Sequence, residues 1–202
     1  MAELAYDDAW LPFLKELHGC GWYRELERAI LTEVSLHGRR VLEVGCGPGY
    51  LVRDLLNRGA RVTAVDPDPE VLGFARSIAP RAELRDGDTH RLPRGKWEFG
   101  VMLNVLHLTD DPQGAVAHLA SRVDGVVRLL VGRPRLAGGA SKLRRGASKT
   151  EYATFQRWRA ILRQHVPPGP RGLRIICQPH LHELKIQDIN GIATLVSGYS
   201  GS

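Results

Sequence analysis

The residues best suited to chemistry in this chain are an acid and three alternating glycines, Glu43-Val44-Gly45-Cys46-Gly47-Pro48-Gly49, placed after the apolar pair Val41-Leu42. Glycine has no Cβ and tolerates positive φ, so backbone at such a turn can approach a ligand closely. A helix that opens just after the turn aims its free N–H groups at whatever lies above the strand. Further along, a second apolar run, Val62-Thr63-Ala64-Val65, ends in Asp66. A carboxylate in that position can accept both hydroxyls of a ribose. The pattern points to an adenosine-containing small molecule. A dinucleotide site would instead read G-x-G-x-x-G and cradle a pyrophosphate. Glu43 would repel that group and suits a cation or an ammonium.

Three more segments follow in order. Val71 lies five residues after Asp66, then come Asp86-Gly87-Asp88-Thr89-His90-Arg91-Leu92-Pro93 and Phe99-Gly100-Val101-Met102-Leu103-Asn104-Val105-Leu106-His107-Leu108. From about Arg39 to Gly132 the chain resembles the class I S-adenosylmethionine-dependent methyltransferases, in the small-molecule methyltransferase domain group. The resemblance implies the cofactor S-adenosyl-L-methionine. It places Glu43, Gly45, Cys46, Gly47 and Gly49 at the methionine portion and ribose, and Asp66 with Pro67 at the ribose. Val71 would lie against the adenine, Asp88 with Thr89 would take the adenine amino group, and Asn104 with Val105 would run under the cofactor. It also implies a methyltransferase acting on a small organic molecule, with an RNA methyltransferase, or a non-methylating protein of this fold that binds S-adenosylmethionine, as the alternatives. The main departure is before the fifth strand, where the family carries P-G-G and this chain reads Val123-Asp124-Gly125-Val126-Val127. A single glycine must make that turn.

Methyl transfer from a sulfonium is an in-line displacement that requires alignment and exclusion of water. A neutral hydroxyl or amine acceptor also requires a base. His107, just past the fourth strand, is the candidate base, and its alternative role is to pack beside the cofactor. Asn104 lacks the prolines and aromatic of an N-P-P-Y motif, which gives no support for a flipped-base pocket. Tyr6, Trp10, Trp22 and Tyr23, with His107, are expected to line a substrate pocket under a lid, or else to anchor the N-terminal helices. His18, His90, His180 and His182 are read as structural or surface residues. The pair His180-x-His182 has no identifiable third ligand, so no metal is expected.

These groups need a frame to hold them. At 202 residues the chain can build one domain with a full core. The spacing predicts strands at 40–44, 61–65, 82–85, 99–104 and 126–131, with helices at 50–58, 69–77 and about 112–121. Apolar strands that alternate with helices indicate a parallel sheet covered on both faces. The expected fold is α/β: a Rossmann-like, doubly wound, mostly parallel seven-stranded sheet with an antiparallel C-terminal hairpin strand. Its parts would be a helical cap (1–37), a cofactor-binding core (38–132), a basic loop and helix (133–172) and a C-terminal β-hairpin (173–202). The hairpin is signalled by Asn190-Gly191.

The net charge is +6, and much of the excess sits in the Arg- and Lys-rich stretch 133–149. That stretch fits a solvated or gating loop first, an anionic small substrate second and RNA third. It lacks the interleaved aromatics of a base-stacking surface. No apolar run reaches the length of a membrane span, so no membrane partner is expected. Three widely spaced cysteines suggest neither a zinc site nor disulfides. A reducing cytoplasm is the expected setting.

Overall fold

The structure, a computed structural model, describes residues 9–133 and 146–201. Two helices open it, α1 (Trp10–Gly19) and α2 (Gly21–Ile30), followed by β1 (Arg40–Val44), α3 (Tyr50–Asn57), β2 (Arg61–Asp66) and α4 (Pro69–Ile78). Then come β3 (Glu83–Asp86), β4 (Trp97–Leu103), α5 (Pro112–Arg122) and β5 (Val123–Gly132). The chain closes with α6 (Lys149–Gln164), α7 (Pro170–Cys177), β6 (His182–Ile189) and β7 (Ala193–Ser200).

The seven strands form one sheet in the order β3-β2-β1-β4-β5-β7-β6. The pairs among β1 to β5 are parallel, and β7 runs antiparallel to both β5 and β6. Strand order reverses between β1 and β4, and ligands of open α/β sheets bind at the strand C-termini of such a switch point. The register brings the relevant ends level: Val44 pairs with Val65 and Met102, and Asp66 pairs with Asp86.

Local sequence explains the element ends. Pro69 and Pro112 occupy the first turns of α4 and α5, where a missing N–H costs nothing. Asp68 accepts from the N–H groups of Glu70 and Val71, and Asp111 accepts from Gly114. Ser148 and Glu151 cap α6 reciprocally. Strand β4 ends at Leu103 because Asn104 turns to a φ of 56°, a left-handed conformation that Asn tolerates. No separate turn precedes β5: α5 runs directly into the strand at Val123, and Gly125 lies inside it. A Cβ there would lie 2.3 Å from the Glu98 carbonyl oxygen, so glycine is required.

The C-terminal segment differs from expectation. Residues 173–177 belong to a helix, α7, so the hairpin begins at His182 and not at 173. The run Pro167-Pro168-Gly169-Pro170 ends α6 and also starts α7, with Pro170 in the first turn. Leu173 and Cys177, four residues apart, are its buried face. Spacing of four is helical, and a short apolar stretch read alone does not separate helix from strand.

Both sheet faces are covered. On one face the core joins Leu26, Leu51, Leu55, Phe99, Phe155 and Trp158. On the other it joins Met102, Leu119, Leu129, Leu173 and Val196. Among the described residues no helix is long and apolar enough to cross a membrane.

Candidate functional site

A cleft opens over the C-terminal ends of β1, β2 and β4, roofed by α1. The space between the atoms that line it, open solvent at the mouth included, is about 1030 Å³. Its floor is the glycine turn. Gly45 and Cys46 both donate to the Val65 carbonyl, which pins the turn to β2. All three glycines have positive φ. A Cβ on Gly45 would stand 2.4 Å from Val105 Cγ2, whereas one on Gly47 would meet only Leu14 of α1, at 3.9 Å. Gly47 thus presents bare backbone to the cleft.

Asp66 lies at the end of β2 and is buried. One carboxyl oxygen accepts from the Gly47 N–H at 2.9 Å and the other from the Asp68 N–H at 3.1 Å. Burial pushes its pKa up to about 6, against the pull of those two donors. Glu43 is 1% exposed, and its Oε2 has no hydrogen-bond partner. Burial first, and then the nearby carboxyls of Glu27 and Asp66, raise its pKa well above the usual range. A buried acid with an orphaned oxygen facing a cleft fits a cationic ligand group. Asp88 Oδ1 accepts from the N–H groups of His90 and Arg91 at 2.7 and 2.8 Å. Partial burial opposes ionisation, but these donors and the Arg91 guanidinium hold the Asp88 carboxyl below its ordinary value.

The other wall follows β4. Asn104 is buried between two elements: Oδ1 accepts from the Gly132 N–H at 2.8 Å, and Nδ2 donates to the Tyr23 hydroxyl at 3.2 Å. His107 is 9% exposed and its Nδ1 lacks a partner. Burial, with a smaller contribution from His165, lowers its pKa to about 3.

The expected site residues therefore divide. Glu43, Gly45, Cys46, Gly47, Asp66, Pro67, Asp88, Thr89, Asn104, Val105, His107, Trp10 and Tyr23 all line this cleft. Gly49 does not. It starts α3 with φ 83°, and a Cβ there would press within 3.0–3.3 Å on Ala75 of α4. The missing side chain lets α3 and α4 pack closely. Val71 is fully buried in the first turns of α4 and does not reach the cleft lining. Trp22 is 7% exposed and is not part of the cleft lining; it packs on Phe155 and Trp158 with ring centroids 5.1 and 5.2 Å away. Successive residues of a helix point in different directions, so Tyr23 enters the cleft while Trp22 enters the core. Tyr6 lies outside the described residues, as do residues 134–145 of the basic stretch.

Sequence reasoning missed two groups. Trp158 and Ile161 of α6 reach the cleft from far along the chain, and nothing local announces that. His18 of α1 lines the cleft too, and its Nδ1 sits 2.6 Å from Glu27 Oε1 of α2. A signal existed for this pair. His18 shares the helical stripe of Leu14 and Leu17, and Glu27 shares that of Tyr23, Leu26 and Ile30. A charged residue on an apolar stripe calls for a partner. Among the described residues, no group of three or more His, Cys, Asp or Glu is arranged to hold a metal ion.

Residues 41–124 match a family model described as a methyltransferase domain. The ubiquinone biosynthesis O-methyltransferase of Coxiella burnetii (strain Dugway 5J108-111) is 29% identical over 124 residues, which is 57% of this chain and 52% of that protein. The chain spans about half or less of the length of the curated relatives it matches. Among solved structures, the magnesium protoporphyrin IX methyltransferase of Synechocystis PCC 6803 with bound S-adenosylhomocysteine superposes with a TM-score of 0.67 at 17% identity, over 97% of this chain and 96% of that one. The N-methyltransferase NodS of Bradyrhizobium japonicum WM9, also with S-adenosylhomocysteine, gives 0.66 at 20% identity over 99% and 95%. The fold is that of the class I methyltransferases.

Proposed function

We propose that this chain, a class I methyltransferase in fold, transfers a methyl group from S-adenosylmethionine to a small organic acceptor. The observation that carries the reading is the floor of the cleft. Gly47 offers bare backbone, Asp66 stands beside it as a carboxyl acceptor, and Glu43 holds an orphaned oxygen nearby. These suit, in turn, close approach, the ribose hydroxyls and the ammonium of the methionine portion. Asp88 and Thr89 line the same cleft and suit an adenine amino group.

The cofactor, when bound, supplies an electrophilic methyl on a sulfonium with a neutral leaving group. The chain's own part is to bind, align and dry the site. Phe13, Leu14 and Leu17 of α1 present apolar surface above the glycine turn. Such a roof excludes water, which strengthens every electrostatic contact beneath it. Relatives named as O-methyltransferases favour a hydroxyl oxygen as the acceptor. An anionic acceptor and RNA both depend on the 133–149 stretch, and the small molecule is preferred because the described cleft is largely apolar.

Calorimetry tests the reading directly. S-adenosylhomocysteine is expected to bind and NAD is not, and preferential NAD binding would overturn it. A labelled methyl donor offered with catechols, phenols and amines then identifies the acceptor class. Label retained by the donor across every acceptor would leave a binding protein without transfer.

A further inference from the structure

Two histidines line the cleft, and they differ in what stands behind them. His107 has a buried Nδ1 with no partner. His18 has one: Glu27 Oε1 lies 2.6 Å from its Nδ1. Both partners are nearly sealed, with side chains 7% and 5% exposed. A carboxylate can only accept, so the proton of a neutral His18 is held on Nδ1. The other ring nitrogen, Nε2, is left with a free lone pair on a side chain that lines the cleft. The ring is also fixed in place. Tyr23 stands edge-on to it at 4.8 Å between centroids, and Tyr50 packs on it at 5.2 Å. Tyr50 is the first residue of α3, directly after the glycine turn, and the Tyr23 hydroxyl is bonded to Asn104 at the end of β4. His18 is therefore held between the start of α3 and, through Tyr23, the end of β4, the two segments that follow β1 and close β4 at the cleft.

We propose that His18 is the proton acceptor for the methyl acceptor, with Glu27 as the positioning residue that fixes its tautomer and orientation. The proposal rests on the reading of the chain as a methyltransferase with a hydroxyl or amine acceptor. In the step, Nε2 takes the proton from the acceptor's O–H or N–H. The pair on that oxygen or nitrogen forms the bond to the methyl carbon, and the carbon–sulfur pair leaves on sulfur as a neutral thioether. The Glu27 carboxyl beside Nδ1 stabilises the imidazolium that forms, the arrangement of a nucleophile's base held by a third group. The unpaired His107, pushed down to about 3 chiefly by burial, is a poor competitor for that proton. Other titratable groups around the cleft are Glu43, Cys46, Asp66, Asp88, Tyr23 and Tyr50. Of these, only the acids could oppose loss of the proton from a charged His18, and none is bonded to it.

The test has two readouts. The first needs no acceptor: the ring nitrogens of His18 are followed by long-range proton–nitrogen NMR on the full chain with S-adenosylhomocysteine. At neutral pH, Nδ1 is expected to carry the proton and Nε2 to be bare, with Glu27→Gln shifting the tautomer. A proton fixed on Nε2, or no response to Glu27→Gln, would overturn the proposal. The second readout is turnover on 3,4-dihydroxybenzoate, or on whichever phenol or amine accepts methyl. His18→Asn keeps a donor near the Nδ1 position and so preserves the tie to Glu27, but it removes Nε2. It is expected to lower kcat on the order of a hundredfold with S-adenosylhomocysteine affinity nearly unchanged. The low-pH limb of kcat should vanish in His18→Asn and shift in Glu27→Gln. Affinity for S-adenosylhomocysteine that falls as far as turnover would make His18 a cofactor ligand and sink the idea. So would unchanged turnover. If S-adenosylhomocysteine binds but no acceptor is methylated, the functional reading fails while the NMR result still judges His18.

Discussion

Asp66 serves two tasks with one carboxyl. It holds the Gly47 and Asp68 N–H groups, and it faces the cleft where ribose hydroxyls would need an acceptor. Burial raises its pKa to about 6. A ribose hydroxyl donates best to the ionised form, so protonation competes with the ligand below that value. Affinity for S-adenosylhomocysteine is expected to be flat above pH about 7 and to fall roughly tenfold per unit below about 6. Calorimetry at stepped pH checks this, and Asp66→Asn should flatten the curve. Asp66→Ala should weaken binding strongly at every pH, since each charge-assisted bond is worth on the order of 1.5–3 kcal/mol. His107 offers a contrast. It is neutral across the working range because its pKa lies near 3. His107→Gln is therefore expected to lower turnover by less than about tenfold, well short of the roughly hundredfold or more of a lost general base. The pH-rate limb should stay where it is. A hundredfold loss with cofactor affinity unchanged would return His107 to the role of base.

Elements divide the glycines by what surrounds them. Gly47→Val adds a side chain into the open cleft, with only Leu14 near its Cβ. It should abolish cofactor binding and leave a folded chain, destabilised by about 1–2 kcal/mol for the left-handed backbone. Gly45→Ala and Gly49→Ala drive a Cβ into Val105 and Ala75. Overpacking adds about 1–3 kcal/mol to the same backbone cost, so thermal melts should separate these two from Gly47→Val. Asn104→Ala removes the tie from β4 to β5 and α2 and leaves the Gly132 N–H unpaired. A loss of about 2–4 kcal/mol is expected, from one unsatisfied buried donor plus the second bond. That corresponds to a fall of several degrees in Tm for a domain of this size. The glycine turn, Asp66 and Asp88 were legible in the sequence because each acts through its own backbone neighbourhood. Asn104 was read as a cofactor contact, and its partners Gly132 and Tyr23 are set by topology that no local window contains. Gly49 and Val71 lie outside the cleft lining for a related reason. A motif fixes where a loop goes, but the direction of each residue within it is decided by the helix packed beside it.

At the scale of the whole molecule, the cleft depends on parts from both ends of the chain. The cap helices α1 and α2 are fastened to α6 by Arg157 with Glu16, by the Gly21 N–H on Glu151, and by the Trp22–Phe155–Trp158 cluster. Trp158→Ala is expected to cost about 3–5 kcal/mol, as a large buried aromatic does. It should also loosen the roof of the cleft, so cofactor affinity and Tm should fall together. Unchanged affinity in a protein of lowered Tm would show that the roof stands without that cluster. The roof itself could not be read from the sequence, because an amphipathic helix shows which face is apolar and not what it will cover. The class of sheet could be read, because apolar runs that alternate with helices admit few arrangements, and within it the strands take the order β3-β2-β1-β4-β5-β7-β6. The same order has a consequence for how the molecule behaves in a crowded solution. Its sheet has two rims. One is the four-residue β3, which carries Glu83, Arg85 and Asp86. The other is β6, which bears Lys185 and Asp188 and is irregular between His182 and Lys185. Short, charged or kinked rims are poor templates for a strand from another molecule. The chain can thus carry a long, strongly apolar central sheet without offering its neighbours a place to extend it.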